Sequence, residues 1–183
     1  MTRPDCLVRE AQDFTPMTRT ERWAHFVNTI ASPEPLVYAL LHAGYNQAFN
    51  SPREWHRDWS GFGYRLGDAE ARFLMQQILE QGMAAGLGED NRYFASGKTG
   101  FGPRLEYAIT STFLARRANG SRGISYSFLG GAAGAALASR PWQPRSTGSL
   151  GTAAWTFGAA IGFQMGENVV REFMPRLARV LLR

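Results

Sequence analysis

Three glycines, Gly158, Gly162 and Gly166, fall every fourth residue in the run TAAWTFGAAIGFQMGENVVREF, which is otherwise built of helix formers. Residues four apart stack along one side of an α-helix, so Ala154, Gly158, Gly162 and Gly166 would make a groove free of side chains. The run before it carries Gly130, Gly134 and Ala138 at the same spacing, with Ser127, Gly131, Ala135 and Ser139 as a second row. Each glycine inside a helix costs roughly 0.5–1 kcal/mol relative to alanine. A second helix backbone approaching into the groove offsets that cost, in lipid or in a protein core. The pattern therefore predicts a tightly packed pair of glycine-rich helices, over residues 125–139 and 149–173, each the partner of the other.

Helix punctuation recurs along the rest of the chain. TRTE sets Thr18 and Glu21 as a capping box ahead of Trp23, Phe26, Val27 and Ile30. SPEP ends that helix at Ser32 and opens another with Pro33 in its first turn and Leu36, Val37, Leu40 and Leu41 at helical spacing. NSPREW suggests a further start, with Ser51 as cap and Glu54 at the third position. A long helix is expected over 66–87, then a polar loop over 88–103, and a helix from Pro103 to Arg116. ANGSRG reads as a turn and RPWQPRSTG as a breaker, and after Pro175 the tail RLARVLLR is amphipathic. No stretch sustains strand alternation, so the fold class is all-α, a helical bundle. Residues 1–17 read as a flexible N-terminal extension and 18–183 as one domain, which 183 residues suffice to give a buried core.

The formal charge of +5 could suit nucleic acid or an anionic membrane, but the basic residues are scattered and Lys98 is the only lysine. A nucleic-acid footprint is clustered, so that partner is disfavoured. Cys6 alone cannot make a disulfide framework or a cysteine zinc site, and Arg3, Pro4 and Asp5 before it do not suit a lipoprotein signal. No secretory leader is visible, so the expectation is a cytoplasmic protein or one whose leader was removed or left out. The uncharged stretches 124–139 and 150–165 fall short of the about 20 residues of a membrane span. They would suit a shallow membrane hairpin, a short span flanked by Trp142 and Trp155, or two buried core helices.

Catalytic signatures are sparse. ASGKTG ends like a phosphate loop, but Arg92 stands where the first glycine belongs. His25, His42 and His56 have no metal-ligand spacing, and no metal or cofactor is implied. Glu54 and Asp58 would lie one turn apart on a helix, where Arg53 and Arg57 can neutralise them. The most unusual polar segment is the loop over 89–98. Glu89, Asp90 and Arg92 stand beside Tyr93 and Phe94, with Lys98 following, a set suited to holding a polar ligand or partner. The same residues would equally serve as an internal ion pair with anchoring aromatics.

The set AGYNQAFNSPREW, GFGYRLGDAEAR, EDNRYFASGKTGFGPRLEYA and NVVREFMP resembles a family of uncharacterised bacterial envelope proteins that carry E-D-x-R-Y-F, G-F-x-x-R and N-x-x-[RK]-E-F-x-P in this order. The resemblance spans about residues 16–177 and implies an exported, membrane-proximal helical protein; it brings no activity or catalytic residue. Two functions are thus expected. One is a non-enzymatic, membrane-associated envelope subunit that packs through its small-residue helix faces with lipid, other membrane subunits or a second copy of itself. The other is a soluble, cytoplasmic helical protein or enzyme that binds a ligand through the 89–98 loop.

Overall fold

The computed structural model describes residues 9–10 and 14–181. The chain is predominantly α-helical, with α1 (Arg19–Ala31), α2 (Pro33–Phe49), α3 (Trp59–Leu87), α4 (Phe101–Thr110), α5 (Tyr126–Ala138) and α6 (Leu150–Leu181). Five short strands accompany them: β1 (Arg9–Glu10), β2 (Glu89–Asp90), β3 (Phe94–Ala95), β4 (Leu114–Arg117) and β5 (Arg122–Ile124). β1 lies parallel to β3, and β2, β4 and β5 form an antiparallel sheet in the order β2-β4-β5. Cys6 and most of the N-terminal extension lie outside the described residues, as do the side chains of the tail beyond Met174.

The local signals explain most helix starts. The Thr18 and Glu21 side chains close a reciprocal capping box on α1, and Pro33 occupies the first turn of α2. α3 ends on Gly88 at φ 66°, a left-handed conformation that glycine adopts without cost. Three expectations are corrected. NSPREW makes only a short 3-10 turn over Arg53–Trp55, and the helix begins later, with Asp58 accepting from the Gly61 amide. Glu54 and Asp58 therefore share no helix face, and Glu54 instead accepts from the backbone and hydroxyl of Ser146. α4 stops at Thr110, and the segment expected to complete it forms β4, which turns through ANGSRG into β5.

The third correction concerns the glycine-rich pair. α3 is the main partner of α5, and α6 touches α5 more lightly. A Cβ on Gly131 would lie 2.8 Å from Glu80 Cβ and 3.0 Å from its Cα. At Gly130 it would meet the Met83 side chain, and at Gly134 that of Leu79. The α5 groove is thus filled, but by α3. On α6 a Cβ at Gly158, Gly162 or Gly166 meets nothing within 4 Å among the described residues, and this row, Ala154 included, faces outward. The helix turns its neighbouring row inward, with Ala153, Phe157, Ile161, Gln164, Asn168 and Glu172. Those residues have side chains to bury and hydrogen bonds to make; a row of glycines offers neither.

The buried apolar residues are mostly alanines, joined by Tyr93, Phe94, Tyr107 and Phe128. Alongside them the interior holds Arg65, Asp68, Glu80, Glu89, Asp90, Arg104, Asn168 and Glu172. Large apolar side chains instead line the outside of α2, where Val37, Leu41, Tyr45 and Phe49 follow one another at four-residue intervals.

Candidate functional site

Three polar knots organise the interior, and each grows from one of the sequence elements singled out above. In GFGYR, Gly61 lets α3 approach the preceding turn so closely that a Cβ would stand 1.9 Å from the Trp55 carbonyl oxygen. Arg65, one helical turn on and 1% exposed, donates to the carbonyls of Ser51, Pro52 and His56 at 2.9, 2.9 and 2.7 Å. The Gln47 side-chain oxygen accepts from it at 2.6 Å. No carboxylate is among these acceptors; the guanidinium is satisfied by dipoles.

In EDNRYF, the buried Glu89 carboxylate accepts from the Ser127 amide at 2.9 Å, its hydroxyl at 2.6 Å and the Tyr126 amide at 3.3 Å. It therefore caps α5 from a distant part of the chain, where negative charge meets the positive helix end. Asp90 pairs with Arg92 at 2.6 Å, and Arg92 also donates to the Thr15 carbonyl. Phe94 packs edge-on against Phe14 at 5.7 Å, beneath the guanidiniums of Arg92 and Arg116. Lys98 sits 5.7 Å from the centre of the Tyr107 ring.

In NVVREF, Glu172 gathers α4, α6 and the 93–96 segment. Its carboxylate accepts from Tyr93 Oη at 2.8 Å, Ser96 Oγ at 2.6 Å, the Ser96 amide at 3.1 Å and Arg104 Nε at 2.9 Å. Burial alone would raise this carboxyl, but the bonds from Ser96, Tyr93 and Arg104 overcome it and hold the group below the usual carboxylate range. Burial and the same carboxylate push the Tyr93 phenol up. Asn168, one turn before Glu172, donates to Thr112 Oγ1 at 3.0 Å.

Beside the second and third knots lies a cavity of about 60 Å³, bounded by β2 to β5 and by residues of α3, α4, α5 and α6. Glu80 of α3 forms part of its wall, where Asn91 donates to it at 2.9 Å; burial pushes its carboxyl up to about 7. Arg116 and Arg122 face the cavity from adjacent strands.

The 89–98 loop was legible as a polar cluster, and the structure shows what its residues do. Glu89, Asp90, Arg92 and Tyr93 are engaged in internal bonds, and Phe94 anchors the loop. Arg104, Asn168 and Glu172 stood in FGPRLEYA and NVVREFMP without an assigned role, and Glu80 went unmarked because a lone charged residue in a helix has no distinguishing spacing. Only their burial marks them. Among the described residues no group of three or more His, Cys, Asp or Glu is arranged to hold a metal ion, and no helix is long and apolar enough to cross a membrane. No protein-family model, curated protein or solved structure matches the chain.

Proposed function

We propose that the protein is a non-enzymatic subunit of the cell envelope that associates with the membrane and packs against a neighbouring subunit through its small-residue helix face. The observation that carries this reading is the inverted distribution of polarity. Seven charged side chains are buried, and among the described residues no buried side-chain nitrogen or oxygen lacks a partner. Apolar side chains meanwhile crowd the outside: Trp59 is 89% exposed, Trp155 78% and Leu41 70%. Single exposed apolar residues are ordinary, but a whole helix face of them, as on α2, marks a surface that meets something other than water. The open row Ala154, Gly158, Gly162 and Gly166 lies beside Trp155 and Phe163, and a groove of this kind admits a second helix at close range.

The reading is tested by washing membranes with alkaline carbonate after expression behind a secretory leader, and by sizing the detergent-extracted protein. Retention in the pellet, with a multimeric species that Gly162→Leu abolishes, is the expected result. A monomer released into the supernatant, unchanged by Gly162→Leu, would refute it.

A further inference from the structure

The cavity beside Glu80 is not needed by an assembly subunit, and its wall is polarised in an unusual way. Arg116 of β4 lies between Asp90 of β2 and Arg122 of β5 in the sheet register, so the three side chains share one face. Asp90, the carboxylate next to Arg116, is already committed to Arg92 through both of its oxygens. Two arginines are therefore directly paired across β4 and β5, an arrangement that like-charge repulsion disfavours. Aromatic faces hold them there. Arg116 lies 5.0 Å from the Phe94 ring centre and 5.4 Å from that of Phe14, and Arg122 lies 4.7 Å from that of Tyr107. Ser111 Oγ accepts from Arg122 at 2.9 Å, which fixes its direction further. Among the described residues neither arginine is in an ion pair with a carboxylate.

Glu80 supplies a carboxyl on the facing wall, raised to about 7 by burial, which an ammonium beside it would draw into the charged form. Its backbone is pressed against Gly131, which fixes its place in the cavity wall, and Asn91 holds one carboxyl oxygen. A volume of about 60 Å³ would hold roughly four waters at about 15 Å³ each. That limits a ligand to the size of a small metabolite fragment. With two cations on one wall and a carboxyl on another, a complementary molecule carries a carboxylate at one end and an ammonium at the other.

We propose that this cavity binds a small α-amino acid, its carboxylate held between Arg116 and Arg122 and its ammonium directed to Glu80. Bidentate guanidinium recognition of the carboxylate supplies the geometry, and the charge-assisted bond to Glu80 supplies the selection for an amine. The site is independent of where in the cell the protein resides.

Titration calorimetry of the full chain with L-alanine, propionate and ethylamine tests it. L-alanine is expected to bind saturably, and each single-ended analogue at least ten-fold more weakly. Arg122→Gln and Glu80→Gln are each expected to weaken L-alanine binding at least ten-fold without lowering the melting temperature, because Arg122 is exposed and Glu80→Gln keeps the side-chain shape. Absence of saturable L-alanine binding to the unmodified protein would overturn the proposal. So would propionate binding as tightly as L-alanine, or L-alanine affinity unaffected by both variants.

Discussion

The two glycine rows have the same spacing and opposite fates. On α5, Gly130, Gly131 and Gly134 are pressed against α3, and at Gly131 the contact reaches the Glu80 backbone itself. On α6, Gly158, Gly162 and Gly166 touch nothing within 4 Å among the described residues. A small-residue row thus states that a helix can be approached closely; it does not name the partner. What decided between the rows was the chemistry of the neighbouring faces. α6 carries Asn168 and Glu172 one row away, and their hydrogen bonds to Thr112, Tyr93, Ser96 and Arg104 turn that side inward. α5 carries no charge at all over Tyr126–Ala138, so its closest-packing face was free to govern its orientation.

This contrast can be broken by substitution, and the largest effect is expected where α6 is held. Glu172→Ala leaves Arg104 buried without its carboxylate, and denaturant unfolding should show a loss of about 3–5 kcal/mol. A loss below about 1 kcal/mol would mean that Glu172 does not orient α6. Next comes the filled groove. Gly131→Ala forces a methyl group against the Glu80 backbone and should cost about 1–3 kcal/mol in the same measurement, despite the better helix propensity of alanine. The smallest effect has the opposite sign. Gly158→Ala and Gly162→Ala on the monomer should each stabilise by roughly 0.5–1 kcal/mol, since nothing nearby must move. Should Gly162→Ala destabilise the isolated chain, the row is filled, and the contrast between the helices fails.

Much of the helical framework was legible in the sequence because it is written in local signals. Thr18 with Glu21, Pro33 and Gly88 act within a turn of their own positions, and each did what its spacing predicted. Errors arose where a distant partner outweighed a local preference. Arg116 sits in a strand because β4 pairs with β2 and β5, contacts between segments that helical periodicity cannot report. NSPREW carries the marks of a helix start, yet Arg65, from the following helix, gathers its carbonyls and holds the segment as a turn. The candidate site shows the same division. The polar character of the 89–98 loop was visible, but its meaning depended on Ser127 and Glu172, which lie 38 and 79 residues away from Glu89 and Tyr93 respectively.

The way Arg65 is held also sets an order of events in acid. The stability that Glu172 supplies is present above its unfolded pKa and is lost as pH falls through the depressed native value. The pair of Glu172 with Arg104 depends on a carboxylate that protons can discharge. Arg65 depends on backbone carbonyls and on the Gln47 and Asn50 amides, none of which titrates in acid, so that on protonation the corner loses the Asp58 cap on the Gly61 amide but keeps its arginine. Hydrogen exchange followed downward in pH should therefore show the amides around Ser96 and Glu172 losing protection first, with the corner between α2 and α3 outlasting them. Simultaneous loss at both ends would show instead that the two form one cooperative unit. In the staged case, the chain contains an acid-resistant half joined to an acid-labile one, and that boundary follows from the choice of acceptors around two arginines.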